Sequence, residues 1–595
     1  MTEARTAEDS GVGSEESSDQ LDPEEFLRRM RHSAAHVLAQ VVLEMLPDAK
    51  LAIGPPIDTG FYYDFLLPRS LTPEDLETIE RRMREEMAKK HTFVWEPIPE
   101  AEARQRYADQ PFKLELIDEF AGSTLGICSH AGFTDLCRGG HVEHTQQIGP
   151  FKIMNVAGAY WRGDESRPQL QRVYGALFPT ETELETYLQR LEEAEKRDHR
   201  RLGRDLDLFS LHEEAGPGLV FWHPRGGRVR LEIEDYWRRA HLEGGYELVY
   251  TPHFGKSGLW ETSGHLDFYK ESMYAPMEVD GEDFYAKPMN CPFHIMIYRN
   301  ARRSYRELPL RLAELGTVYR YERSGTMHGL LRVRGFTQDD AHIFCTPEQV
   351  ESEIVEVVRF SVEMLRTFGF DAFTAFLSTR PEKAVGEPAT WEVAEAALRR
   401  ALAEAALAYE VDEGGGAFYG PKIDLKVVDA LGREWQLTTV QFDFNMGTRF
   451  GLRYVGEDGA EHSPYLVHRA LLGSMERFFA VLIEHYGGAF PLWLAPVQAR
   501  LIPIADRHVE HARRIAVSLQ TAGLRADVDT RSERMNAKIR DAQLEKVPYM
   551  LVVGDREAAA ATLAVAVRRR DGENLGVLPV ADLQSRLLEE VRRRT

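Results

Sequence analysis

Residues 319–344 read YRYERSGTMHGLLRVRGFTQDDAHIF. Arg320, Glu322, Arg332 and Arg334 surround a Ser-Gly turn, and Gln338, Asp339, Asp340 and His342 follow it. Two strands flanking a polar loop would hold these arginines over a polyanion such as a triphosphate, because the planar guanidinium meets phosphate oxygens two at a time. The same residues also fit a hairpin laced by its own salt bridges. The stretch alone leaves both readings open.

The surrounding segment, from about Asp198 to Tyr486, mixes strands and helices, with YELVYTP, LRVRGF and REWQLTTVQFDF as strand-like runs. It closes on GGAFPLWLAP, a Gly/Pro-rich break. Beyond the break, ARLIPIA, LRADVD and PYMLVVG read as buried strands separated by helical patterns, which predicts a small α/β domain with a mainly parallel sheet. Toward the N-terminus, Asp22-Pro23-Glu24-Glu25 starts a helix, with a capping Asp, Pro at the first position and acids at the positive dipole end. Phe26, Met30, Ala34, Val37, Val41 and Met45 continue at helical spacing until Leu46-Pro47. A second helix opens at Thr72-Pro73-Glu74 and buries Leu76, Ile79, Met83 and Met87. A charged helix from about Glu183 to Arg201 reads as a connector.

Composition sets limits. A chain of 595 residues exceeds one core, so about three domains are expected. No apolar run approaches the roughly 20 residues of a membrane span, and no membrane association is expected. The first twenty residues are acidic and Ser-rich and read as a disordered tail without a secretory signal. Cys128, Cys137, Cys291 and Cys345 are too few for a disulfide framework, which points to the cytoplasm. The net charge of −22 argues only weakly against a nucleic-acid partner, since local patches escape it.

With the pieces in order, residues 319–344 resemble the second signature motif of class II aminoacyl-tRNA synthetases in its threonyl form. GLVFWHPRGGRVRLEIEDYW, leading to Tyr250-Thr251-Pro252, is similar to the first motif, and LVHRALLGSMERFFA to the third. KPMNCPFH and YGPKIDLKV match the threonyl branch. The resemblance runs from about residue 21 to the end and implies a multidomain α+β and α/β chain. Its parts would be a tail at 1–20, an editing domain with helical connector at 21–197, an antiparallel-sheet catalytic domain at 198–490, and a small α/β anticodon-binding domain at 491–595. Members of the family often carry a ubiquitin-like domain before the editing domain; a start near residue 22 leaves it out of this sequence. The implied activity is ATP-dependent ligation of L-threonine to tRNA(Thr) by a homodimer, with Mg²⁺ accompanying ATP and one Zn²⁺ per subunit.

The resemblance assigns the zinc to Cys291, His342 and His468, a set that leaves one coordination position open. A metal that demands a hydroxyl excludes valine, which an apolar pocket separates from threonine by only about 100-fold. Arg320 is then expected at the α-phosphate, Glu322 and Phe336 at the adenine, and Arg332 and Arg477 at ATP. Gln338, Asp340 and Tyr419 are expected at threonine and Lys422 at the adenylate, with Gln436, Gln441 and Ser474 lining the pocket. A non-catalytic RNA-binding paralogue would show damage at these positions, and none is present. A synthetase for proline, serine or glycine is disfavoured by the zinc positions and Asp340.

His32 and His36 stand one helical turn apart, and Cys137-Arg-Gly-Gly-His141 supplies a thiol and a third imidazole. Alone, H-x-x-x-H is mostly coincidence. In context, His32, His36, Lys113, Asp135, Cys137 and His141 match the editing domain shared by threonyl- and alanyl-tRNA synthetases. Serine keeps the hydroxyl and lacks one methyl, worth only about 1–3 kcal/mol, so a second, hydrolytic site is needed. Arg540 and Glu557 fall at anticodon-contact positions, whereas Ser532 and Ala566 depart from the family pattern, with Arg568 two residues beyond Ala566.

Overall fold

The computed structural model describes residues 21–164 and 166–594; the tail expected at 1–20 lies outside them. The chain divides into two compact units, 1–192 and 193–595.

In the first unit, helices Pro23–Met45 and Pro73–Ala88 cover an antiparallel sheet ordered Lys50–Leu51, Gly60–Leu66, Gln169–Leu177, Phe151–Tyr160. Pro56–Ile57 pairs with the Gly60–Leu66 strand. A second sheet joins Val94–Pro97, Gly126–His130 and Phe133–Leu136. The helical stripe read from the sequence is the one buried: Met30, Ala34, Val37, Val41, Ile79 and Met83 share a core with Phe61, Tyr63 and Phe65. Asp22 does occupy the cap position, but its side chain makes no cap hydrogen bond; Pro23 and the first-turn acids define that start. Thr72 caps its helix through a reciprocal box with Asp75.

The connector is not one helix. Glu181–Arg197 ends, and the Asp198 carboxylate accepts from the Arg200 N–H at 2.7 Å to start a separate turn, His199–Asp205. An aspartate that satisfies an orphan amide competes with continued helix.

The second unit is built on an eight-stranded sheet. Its order is Glu247–Leu248, Leu310–Tyr319, Gly335–Cys345, Tyr465–Ser474, Glu434–Asp443, Lys422–Val428, Phe373–Ser378, Tyr409–Asp412. All pairings are antiparallel except the two at the edges. Helices Pro224–Glu243, Val350–Thr367, Pro388–Glu404 and Met475–Tyr486 contribute Val229, Ile233, Trp237, Ile354, Val358, Leu398 and Phe478 to one continuous core. Each such side chain contributes roughly 1.5–3 kcal/mol on burial. In the quoted stretch, strand Leu310–Tyr319 returns as Gly335–Cys345, so Arg332 and Arg334 lie in the loop and not, as LRVRGF suggested, in a strand.

The C-terminal fold has a five-stranded sheet ordered Ala526–Val528, Ala499–Pro503, Tyr549–Val553, Ala564–Arg569, Asn574–Pro579. The three strands read from the sequence are parallel as expected, but the last two form a hairpin and pair antiparallel. The sheet is therefore mixed rather than mainly parallel. The hairpin turn passes through Gly572 at φ +97°, and a connection that short can join only antiparallel neighbours. Arg225–Glu545 at 2.7 Å and Arg525–Glu232 at 2.7 Å tie this fold to the large sheet's helices. All four cysteines are free and buried. Among the described residues no helix is long and apolar enough to cross a membrane.

Candidate functional site

A cleft of about 570 Å³ opens over the large sheet. It brings together Cys291, Arg320, Glu322, Arg332, Phe336, Gln338, Asp340, Tyr419, Gln436, Gln441, His468, Ser474 and Arg477. Strand geometry explains much of this. Gln338, Asp340 and His342 alternate along one strand and so share a face. The register then sets His342 opposite His468, His468 opposite Gln441, and Gln338 opposite Ser474. Cys291 enters from the first residue of helix Cys291–Arg299. Lys422 is not among the lining residues: its ammonium lies 2.8 Å from Asp424, one strand further along the sheet.

At the floor, the ligand atoms of Cys291, His342 and His468 lie within 4.8 Å of one another. His342 Nε2 and His468 Nδ1 are buried without a hydrogen-bond partner. Their other ring nitrogens are held: His342 Nδ1 by His294 Nδ1 at 2.8 Å, and His468 Nε2 by Asp443 at 2.9 Å. His294 in turn meets Glu314 at 3.1 Å. Burial, then the neighbouring His468 and His294, holds the His342 imidazole well below its usual pKa, so it is neutral. Burial pushes the Cys291 thiol up, an effect a bound cation would reverse. One thiol, two aimed and otherwise unpartnered imidazole nitrogens, and an outer layer that fixes each ring make a donor set that fits zinc. Asp340 stands beside the set, its carboxylate accepting from the Asn290 amide at 3.0 Å. His294 could have been suspected in KPMNCPFH, three residues after Cys291. Glu314 and Asp443 carried no sequence signal.

The arginines settle the opening ambiguity in both directions. Arg332 pairs with Glu322 at 2.9 Å, and Arg334 donates to the Glu322 carbonyl, as a salt-bridged hairpin would. Arg320 and Arg477 differ. Their hydrogen bonds go to the carbonyls of Pro288, Leu331 and Gln436, and neither forms an ion pair among the described residues. Burial, then the charges of Arg320 and Arg332, pulls the Arg477 pKa down. Two cations that repel one another in a cleft, neither claimed by the Glu322 or Asp340 carboxylates that also line it, form an anion site. Phe336 lies under Arg320, 5.0 Å from guanidinium carbon to ring centre.

The first unit holds its own cluster. His32, His36, Cys137 and His141 present ligand atoms within 4.8 Å of one another. Gly139 at φ +91° and Gly140 at φ +79° turn the chain so that Cys137 meets His141, Sγ to Nε2 3.1 Å. Beta-carbons at both positions would be strained. Cys137 also lies 3.6 Å from His32 Nε2, His32 Nδ1 is 3.3 Å from the Gly140 carbonyl, and Ser33 Oγ reaches His141 Nδ1 at 3.2 Å. Beside it, Lys113 lies 2.6 Å from Asp135, and the Tyr63 hydroxyl donates to the same carboxylate at 2.6 Å. His36 Nε2 is 3.9 Å from Asp135. Burial lowers His32 to about 4 and raises Cys137 to about 12, so the cluster is three neutral imidazoles and a thiol. That suits holding and polarising a water better than thiolate attack. Tyr63 lies in the quoted GPPIDTGFYYDF, where nothing distinguished it from Tyr62.

In the C-terminal fold, Arg540 is exposed on helix Met535–Leu544. Glu557 is buried, and its carboxylate accepts from the Gly554 N–H at 2.9 Å, capping its own short helix. Ala566 and Arg568 sit opposite Val552 and Met550, on one face of the Ala564–Arg569 strand.

This sheet, with its floor of metal donors and its unpaired arginines, is that of a class II aminoacyl-tRNA synthetase. Residues 274–486 match the tRNA synthetase class II core domain (G, H, P, S and T). Residues 498–590 match the anticodon binding domain, and residues 125–174 the threonyl and alanyl tRNA synthetase second additional domain. A threonine–tRNA ligase of Dehalococcoides mccartyi is 56% identical over 574 residues, 96% of this chain and 98% of its own length. One of Magnetococcus marinus is 54% identical over 577 residues, covering 96% of this chain and 89% of the relative. Among solved structures, the RNA binding domain of threonyl-tRNA synthetase from Cryptosporidium parvum superposes with a TM-score of 0.64 at 40% identity, over 66% of this chain and 98% of that one. The chain belongs to the threonine–tRNA ligase family.

Proposed function

We propose that this ligase activates threonine in the cleft of the second unit, with Cys291, His342 and His468 holding zinc. Zinc bound there supplies a Lewis-acid position for the amino group and hydroxyl of threonine. Asp340, steadied by Asn290, accepts from that hydroxyl, while Gln338 and Tyr419 orient the amino acid. Arg320 and Arg477 bind the triphosphate of ATP with its Mg²⁺, and Phe336 stacks on the adenine, with Glu322 and Arg332 at its edge and Gln436, Gln441 and Ser474 along the wall. The threonine carboxylate oxygen then bonds to the α-phosphorus as the bond to pyrophosphate breaks. The terminal ribose hydroxyl of tRNA(Thr) next attacks the adenylate carbonyl and AMP leaves. No side-chain nucleophile is required; positioning and charge stabilisation carry the step.

In the first unit, His32, His36, Cys137 and His141, with Lys113 and Asp135, hold the water that hydrolyses seryl-tRNA. Arg540 contacts the anticodon. A second copy of the chain covers Leu231, Leu242, Tyr250 and Phe254, which cluster in and after the first-motif segment and are exposed, Tyr250 at 82%; a sedimentation mass of one chain would oppose this.

The observation that carries the reading is the pair of aimed, unpartnered imidazole nitrogens under a cleft that holds two arginines forming no ion pair among the described residues. ATP–pyrophosphate exchange on the zinc-loaded protein tests it. Exchange strong with threonine, weaker with serine and near zero with valine is expected. No exchange with any amino acid, with zinc bound, would leave a non-catalytic RNA-binding paralogue as the better account.

A further inference from the structure

Outside the cleft, one buried polar group joins three elements and is used by none of the chemistry above. His199 opens the short helix His199–Asp205 and is fully buried. Its Nδ1 lies 2.6 Å from Glu484 Oε1, and its Nε2 accepts from the Leu330 backbone N–H at 3.0 Å. A backbone N–H can only donate, so Nε2 is the acceptor and the proton sits on Nδ1, facing the carboxylate. Asp198, His199 and Glu484 have the composition of a cation site, but both ring nitrogens of His199 are committed and no donor is left for an ion. Glu484 is anchored as well, 2.7 Å from Arg433. It lies near the end of helix Met475–Tyr486, whose first turn carries Arg477.

Leu330 belongs to the loop between the two strands of the quoted stretch. Two residues on, Arg332 lines the cleft, and the Leu331 carbonyl accepts from Arg477 Nε at 3.3 Å. The loop seats closely on the imidazole: Gly329 has φ +50°, and a Cβ added there would overlap the His199 ring. We propose that His199 is a positioning residue for ATP binding, fixing the loop that carries Arg332 by tying the Leu330 amide to the helix that carries Arg477. The proposal rests on the reading of Arg332 and Arg477 as ATP ligands.

Two conservative variants separate the two bonds. In His199→Gln the terminal amide oxygen reaches the place of Nε2 and can still accept from Leu330. In His199→Asn the amide nitrogen stands near Nδ1 and can serve Glu484 but not the loop. On the full chain, hydrogen exchange at the Leu330 amide and KM for ATP and threonine in pyrophosphate exchange are measured for both variants, for His199→Ala and for Arg332→Ala. The expected result is faster Leu330 exchange and a KM for ATP raised about 10-fold in the Ala and Asn variants, the loss of one buried hydrogen bond. The Gln variant stays near the wild type, and KM for threonine is unchanged in all. A merely structural histidine would lower the melting temperature in every variant without this split, and that result overturns the proposal. Unchanged Leu330 exchange in His199→Ala also overturns it. If exchange rises but Arg332→Ala binds ATP normally, the assignment of the loop to ATP falls, and the role of His199 in ATP binding falls with it.

Discussion

The two units each gather cysteine and histidine into a buried knot, yet the knots are made differently. In the second unit the unclaimed nitrogens of His342 and His468 point at the thiol's neighbourhood, and their backs are held by His294 and Asp443. In the first unit's cluster the bonds close on themselves, Cys137 to His141 and His32, His141 to Ser33, while His36 Nδ1 is left without a partner. The same residue types are therefore arranged differently. What decides is which lone pairs the surrounding structure has already taken. The second unit's set keeps two donor nitrogens free beside its thiol, whereas the first unit's set is largely bonded within itself, with the buried Lys113–Asp135–Tyr63 group beside it.

The sharpest way to break that contrast is Cys291→Ala. Threonine-dependent pyrophosphate exchange should fall by several kcal/mol of transition-state stabilisation, on the order of 1000-fold, while seryl-tRNA hydrolysis persists. Zinc analysis of the same variant should show the metal gone. One equivalent of zinc retained would move it to the His32–His36–Cys137–His141 cluster and erase the distinction.

Lys113→Ala strikes the other knot. It leaves Asp135 buried and uncompensated, a loss of about 3–5 kcal/mol, seen as early melting of the first unit and loss of seryl-tRNA hydrolysis with pyrophosphate exchange intact. Adding Asp135→Asn should recover stability without recovering hydrolysis; a single variant as stable as the wild type would show the pair is not buried as described.

pH separates the units less strongly. His130, buried in the first unit with neither ring nitrogen partnered, has its pKa lowered by burial, then by His91, from 6.5 to about 4. The unfolded chain takes up that proton near 6.5 and the folded chain does not. Its contribution is thus full above about 6.5 and is lost as pH falls toward 4, by about 2–3 kcal/mol. Denaturant titration of wild type and His130→Phe across that window should show a flatter profile in the variant; parallel profiles would assign the acid sensitivity elsewhere.

The smallest effect is expected at the anticodon. Arg540→Ala should weaken tRNA(Thr) charging by about 1–3 kcal/mol, read as kcat/KM for tRNA, and leave amino-acid activation alone. Glu557, whose carboxylate caps Gly554, should act through folding instead.

Much was legible beforehand, for physical reasons. The quoted stretch put Gln338, Asp340 and His342 together, and the family resemblance gave them their roles. Helical spacing gave the buried stripes of the first unit. Long ordered motifs named the family, and Cys137-Arg-Gly-Gly-His141 offered a thiol and an imidazole to join His32 and His36. These are local properties, carried by steric preferences and burial within a few residues. Strand boundaries at LRVRGF, the break at Asp198 and the antiparallel hairpin at Gly572 were harder, because each turns on which distant group satisfies a backbone amide or which strand lies alongside.

What the sequence by itself determined is the roster: the donor atoms, the arginines, the faces that must be buried and the order of the domains. Only the tertiary structure decided which lone pairs stay free. Asp443 behind His468, His294 and Glu314 behind His342, Tyr63 on Asp135 and His199 beneath Leu330 all join residues remote in the chain. A hydrogen bond depends on distance in space, and spacing along the sequence carries no record of it.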